Sequence, residues 1–224
     1  KERHPEIELW CPDLPGFGDA ERPAGMLPNL SAYGRWLAEA AVQRSRGRPF
    51  LLMGHSLGGS VVLHAEAHLR QQNQPGLTGV VLLAAGGGIY QPRPFRRLRS
   101  FGRLILELRP DALGQLPPPI GQLGPFRAER RAARGLLVNS TSRGAVRDLP
   151  GLVSDLGVES LWISGDQDQV MEPGYVRHLA AYSPTHDYRQ IEGCGHLPMQ
   201  QKPEILRDML FSWVEDQSLA RPRS

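Results

Sequence analysis

A serine performs covalent chemistry only where its hydroxyl is lifted clear of the backbone and a base can take its proton. Ser56 meets the first condition. It sits in Gly54-His55-Ser56-Leu57-Gly58, after the apolar run Pro49-Phe50-Leu51-Leu52-Met53 and before a helix-like stretch over 59–67. A serine between a buried strand and a helix start, with glycine two residues to either side, is the pattern of a nucleophile elbow. The tight turn predicts that both flanking positions need glycine, and amides at the helix start would lie close enough to bind an oxyanion.

The second condition points downstream. His196 follows Glu192-Gly193-Cys194-Gly195, a glycine-flanked turn that can carry an imidazole over a sheet edge. Leu161-Trp162-Ile163-Ser164-Gly165 reads as a buried strand and runs into Asp166-Gln167-Asp168, so Asp166 or Asp168 can hold that imidazole. The chain order is serine, acid, histidine, one of several orders in which these three groups are found together in serine hydrolases.

The elements that must position these groups alternate. Strands are expected at 7–11, 50–53, 80–85, 160–164 and 186–191. Helices are expected at 30–44, 58–69, 128–137, 174–182 and 205–215. The first helix would start at Ser31 and turn Tyr33, Trp36, Leu37, Ala40 and Ala41 to one face. Such alternation predicts an α/β fold with a mostly parallel, doubly wound sheet, whose reactive groups gather at the C-terminal strand ends.

Four segments carry a family resemblance: Asp13-Leu14-Pro15-Gly16-Phe17-Gly18-Asp19 with Arg22-Pro23, Gly54-His55-Ser56-Leu57-Gly58-Gly59, Gly165-Asp166-Gln167-Asp168, and Gly193-Cys194-Gly195-His196. On these the chain resembles the α/β-hydrolases over nearly its whole length. The resemblance implies that Ser56 is the nucleophile, His196 the base and Asp168 the acid, with Asp166 structural. It matches the backbone N–H of Leu57 to one oxyanion donor. It also implies a helical cap, here residues 89–150, inserted into a core formed by 1–88 and 151–224. Finally it implies a strand and His-Gly loop before Asp13 that supply a second oxyanion donor. The chain opens Lys1-Glu2-Arg3-His4-Pro5, so that strand is expected to be missing and the chain to be a fragment or the product of an unusual start. The strands at 7–11 and 50–53 would then pair directly or leave a gap, and a lost donor would lower turnover by about 10²–10³.

Composition narrows the classes. The chain has 224 residues, of which 40% are hydrophobic, enough for one core with a lid. No apolar run reaches the length of a membrane span. There is no Cys/His cluster of zinc spacing and no glycine-rich phosphate loop, so neither metal nor cofactor is expected. Cys11 and Cys194 make no disulfide framework, and reduced thiols in the cytoplasm are expected. Charge is uneven: residues 90–150 hold 12 Arg against 4 acidic residues and include Pro117-Pro118-Pro119. This block reads as a solvated helical surface, or as an anion-facing gate with weak contact to lipid headgroups. Its aromatics (Tyr90, Phe95, Phe101, Phe126) are too scattered to stack bases, so no nucleic acid is expected.

The other histidines carry less. His55 reads as a packed neighbour whose peptide shapes the elbow. His64 and His68 lie four apart on one helix, but no acidic partner accompanies them in a zinc pattern, so a surface or interhelical place is expected. His4, His178 and His186 read as exposed. Together these readings predict a serine hydrolase cleaving a carboxylic ester, or related acyl bond, of a small or lipid-like molecule through an acyl-enzyme. C–C bond hydrolases and peptidases share the same residues, and a non-catalytic binding relative is the second reading.

Overall fold

A computed structural model of the protein describes residues 7–86 and 128–220. Its centre is a four-stranded sheet with β1 (Phe50–His55), β2 (Leu77–Leu83), β3 (Glu159–Gly165) and β4 (His186–Ile191) side by side in chain order. Every neighbouring pair is parallel. Parallel strands need long crossovers, and helices lie in each of them. α1 (Leu30–Ser45) precedes β1, α2 (Leu57–Gln71) lies between β1 and β2, α3 (Arg130–Ser140) and α4 (Arg143–Ser154) between β2 and β3, and α5 (Pro173–Ala180) between β3 and β4, while the short α6 (Pro198–Gln201) and α7 (Pro203–Ala220) follow β4.

β2 carries the unbroken apolar run Val80-Val81-Leu82-Leu83 and β3 the run Leu161-Trp162-Ile163, because both faces of these strands are covered. Leu82 and Trp162 point into a layer built by α1, α2, α4 and α5. Val81, Leu83, Leu161 and Ile163 point the other way, onto Leu206 and Trp213 of α7. A third cluster joins Leu30, Tyr33, Val61 and Leu136 to Leu14, Phe17, Met26 and Leu57, tying the 13–28 loop to α1, α2 and α3. Helices on both faces of a parallel sheet are the α/β arrangement that the alternating pattern predicts.

Several local readings are corrected. Residues 7–11 form no strand: the segment has no regular structure, Leu9 is 70% exposed, and Glu8 is held by Arg44 and Arg48 beside α1. A strand exists only where another edge accepts its hydrogen bonds, and among the described residues β1 has β2 as its strand neighbour. The expected pair 7–11/50–53 is therefore absent, and Leu51 and Met53 of β1 stay 37% and 46% exposed. Helix α1 starts at Leu30, with Asn29 rather than Ser31 as its cap; the Asn29 side chain accepts the Ala32 N–H at 2.8 Å. Trp36, Leu37 and Ala40 are only half-buried, and Gly34 and Ala38 take the inner face. α4 is not among the expected helices; Pro150 lies inside it and removes an amide from the ladder. It persists by burying Leu149 and Val153. The expected boundary at 150/151 falls within this helix, and most of the expected cap, 89–127, lies outside the described residues.

Candidate active site

The site is made at the C-terminal ends of β1 and β3, to which the loop after β4 returns. β1 ends at His55 and α2 begins at Leu57, so the whole reversal falls on Ser56, which has φ 53° and ψ −121°. A non-glycine residue there is strained by about 1–3 kcal/mol and persists only where its surroundings hold it. Here the Ser56 N–H continues the ladder to the Leu83 carbonyl at 2.9 Å, and its own carbonyl accepts the Gly59 N–H at 3.0 Å. Leu57 is the first residue of α2, where N–H groups lack an intrahelical acceptor.

The glycine requirement differs from expectation. A Cβ on Gly54 would stand 2.3 Å from the Gly58 carbonyl oxygen, and one on Gly59 would stand 2.3 Å from the Ala85 Cβ. A Cβ on Gly58 would meet no described atom within 4 Å. The turn therefore needs Gly54, and close packing of α2 on β2 needs Gly59.

β3 delivers the acid. Asp168 is buried, and its Oδ1 accepts the backbone N–H groups of Val170 and Met171 at 2.8 and 2.9 Å. Those bonds fix the carboxylate and leave Oδ2 facing His196, whose Nδ1–H donates to it at 2.9 Å. A proton on Nδ1 leaves Nε2 as the acceptor in the neutral ring, and Ser56 Oγ lies 3.1 Å from that nitrogen. The structure thus brings Ser56, His196 and Asp168 into one continuous hydrogen-bonded chain. Asp166 is not part of it. Its Oδ1 accepts the Cys194 N–H at 3.1 Å and shapes the loop that carries His196.

That loop is held at several points. The Gln167 N–H donates to the Cys194 carbonyl at 2.9 Å, and Gln201 Oε1 accepts the Gly195 N–H at 2.7 Å. Nε2 of His55 lies 2.7 Å from the His196 carbonyl oxygen, with the two rings 4.8 Å apart. Burial lowers the His55 imidazole below its ordinary range and raises the Cys194 thiol. Gln201 gave no signal in the sequence, since a glutamine in the polar run Gln200-Gln201-Lys202 matches no catalytic pattern. His55 was visible beside Ser56, but its partner lies 141 positions away.

The 13–28 loop borders the elbow through Phe17, which shares a cluster with Leu57. Tyr33 donates its hydroxyl to the Pro15 carbonyl at 2.6 Å. Arg22 grips Glu129 with two bonds of 2.7 Å and holds that carboxyl below the usual range, fastening the loop to the start of α3. His64 packs on Gly34 of α1, as an interhelical residue would. Among the described residues no group of His, Cys, Asp and Glu is arranged to hold a metal ion. No described helix is long and apolar enough to cross a membrane.

Comparison with known proteins agrees with this architecture. Residues 1–209 match the alpha/beta hydrolase family. A pimeloyl-[acyl-carrier protein] methyl ester esterase from Xanthomonas axonopodis pv. citri (strain 306) is 30% identical over 94% of this chain and 85% of its own length. An esterase from Exiguobacterium antarcticum superposes with a TM-score of 0.71 at 17% identity, over 91% of this chain and 80% of that one. A thermophilic esterase from Thermogutta terrifontis superposes with a TM-score of 0.66 at 20% identity, over 92% and 78%. At such identities the structural likeness speaks for the fold alone, while the sequence matches reach further. The chain belongs to the alpha/beta hydrolase family and is a hydrolase.

Proposed function

We propose that the protein is a serine hydrolase that cleaves carboxylic esters through Ser56, His196 and Asp168. Ser56 Oγ attacks the ester carbonyl as its proton passes to His196 Nε2. Asp168 keeps the Nδ1 proton in place and stabilises the imidazolium that forms. The Leu57 N–H donates to the oxyanion of the tetrahedral intermediate. His196 returns the proton to the departing alkoxide, which leaves as the alcohol. A water then repeats the sequence on the acyl-enzyme and releases the carboxylic acid and free Ser56.

The observation that supports this reading is the pair of bonds through one imidazole, 3.1 Å to Ser56 Oγ and 2.9 Å to Asp168 Oδ2. Both fall within the reach that proton transfer needs. The relative's name places methyl esters of acyl chains, free or on acyl-carrier protein, first among the substrates to try. Residues 89–150 are proposed as a cap, joined to the core through α4. Its described part exposes Arg130, Arg131, Arg134, Arg143 and Arg147, which favours an anionic substrate, carrier or lipid headgroup on that side. Flotation with anionic and neutral vesicles tests the lipid case, and equal recovery from both removes it. Cys11 and Cys194 are both free, which supports a reducing, cytoplasmic setting.

A fluorophosphonate probe tests the central proposal. Stoichiometric labelling at Ser56, lost in Ser56→Ala together with hydrolysis of p-nitrophenyl butyrate, supports the enzyme. A folded protein that neither labels nor hydrolyses any ester supports the binding-protein reading instead.

A further inference from the structure

The geometry points to His55 as a positioning residue that fixes the distance between Ser56 and His196 by pinning the backbone of the base to the strand of the nucleophile. The inference rests on the serine-hydrolase reading above and assigns a task to a side chain outside the proton relay.

The need for such a residue follows from the sheet order. β1, which ends beside Ser56, and β4, which leads to His196, stand at opposite ends of β1-β2-β3-β4. Three strand spacings separate them, ~14–15 Å at the usual interval. The loop after β4 must therefore reach back across β3 and β2. Its other backbone anchors come from the middle of the molecule. Asp166 and Gln167, at the end of β3, hold Cys194, and Gln201 of α6 holds Gly195. The bonds from Asp166 and Gln167 secure the loop against β3, beside Asp168, and the bond to Gln201 fastens it to the helix that follows it. They do not tie the base to β1.

The bond from His55 does. A carbonyl oxygen only accepts, so His55 Nε2 must carry a hydrogen and donate it to the His196 carbonyl at 2.7 Å. The donor ring belongs to the residue directly before Ser56, and the acceptor is the peptide of the base itself. One hydrogen bond thus connects the two reacting residues through their own backbones. The rings also touch, tilted by 48° at 4.8 Å between centroids, so the His196 ring has a wall on that side. Ser56 is strained at φ 53°, and a strained turn keeps its geometry only while its flanks are held. His55 holds one flank.

Losing this donor should let the His196 loop drift relative to Ser56 while leaving Asp168 and the substrate surface in place. Misplacement by about 1 Å can cost a catalytic step about 10²-fold. The test compares His55→Leu, which fills the space without a donor, with His55→Gln, whose side-chain amide donates at similar reach. With p-nitrophenyl butyrate, His55→Leu is expected to lose about 10- to 100-fold in kcat with KM changed less than about twofold. His55→Gln is expected to stay within about threefold of the parent kcat. The rate of fluorophosphonate labelling per folded molecule should fall in the same order, which keeps the comparison valid if one variant folds in lower yield. His55→Asn serves as a third variant: it has the same amide but is too short to reach the carbonyl, and it should behave like His55→Leu. Parent-like kcat and labelling in His55→Leu, or a His55→Gln no better than His55→Leu, overturns the proposal. The serine-hydrolase reading fails separately, through retained activity in Ser56→Ala.

Discussion

Gly165 and Cys194 approach so closely that a Cβ on Gly165 would stand 2.1 Å from the Cys194 carbonyl oxygen. The end of β3 is thereby the floor on which the His196 loop rests, and the bond from the Gln167 N–H to the Cys194 carbonyl follows from that contact. Gly165→Ala is expected to lift the loop or shift the strand. The loss of stability should be about 1–3 kcal/mol, as for other overpacked sites. Because the same loop carries His196, kcat should fall with it. Chemical denaturation and ester hydrolysis on one preparation check both, and an alanine variant with parent stability would show that the loop yields freely.

The three glycines of the elbow should separate in experiment. Gly54→Ala and Gly59→Ala each place a methyl 2.3 Å from a neighbour, whereas Gly58 faces open space among the described residues. Gly58 lies in the first turn of α2, where alanine is the better helix former by about 0.5–1 kcal/mol. Thermal unfolding should therefore rank Gly58→Ala at or above the parent and the other two clearly below it. An equal loss at all three would contradict the packing around Ser56.

Removing members of the relay should show that they act as a unit. Ser56→Ala is expected to abolish ester turnover, and Asp168→Asn to lower kcat by about 10⁴ by favouring the wrong imidazole tautomer. The double variant Ser56→Ala/His196→Ala should be no worse than Ser56→Ala alone. Losses that multiply in the double variant would mean that the two side chains work independently.

Glu66 provides a pH signature away from the site. It is buried on α2, its Oε1 accepts the Gly157 N–H at 3.0 Å and pairs with Arg70 at 3.3 Å, and its Oε2 has no hydrogen-bond partner among the described residues. Burial raises its carboxyl above the ordinary 4.5. The folded state therefore binds this proton more tightly than the unfolded chain. Its stabilising contribution is fully present below the unfolded value and is lost as pH rises through the folded one. Glu66→Gln removes the titration, so its melting temperature relative to the parent should climb as pH rises from 4.5 upward. A difference that stays flat across that range would refute the assignment.

Much of this protein was legible before any coordinates. Hydrophobic period and chain order are local properties, so β4 falls at the expected 186–191 and the cores of the other three strands lie where the apolar runs stand. Glycine spacing around Ser56 and the turn before His196 likewise mark the residues that the fold brings together. What the tertiary structure decided is whatever depends on a distant partner. Residues 7–11 are mostly apolar and read as a strand, yet they form none because no described strand edge pairs with them. Pro150 argues against a helix locally, but burial of Leu149 and Val153 sustains α4. Which glycine is indispensable depends on which backbone passes overhead, and His55 acquires its partner only when the chain returns from β4. Propensity and period act within a few residues, whereas hydrogen-bond pairing and close contact are settled only when separate segments meet.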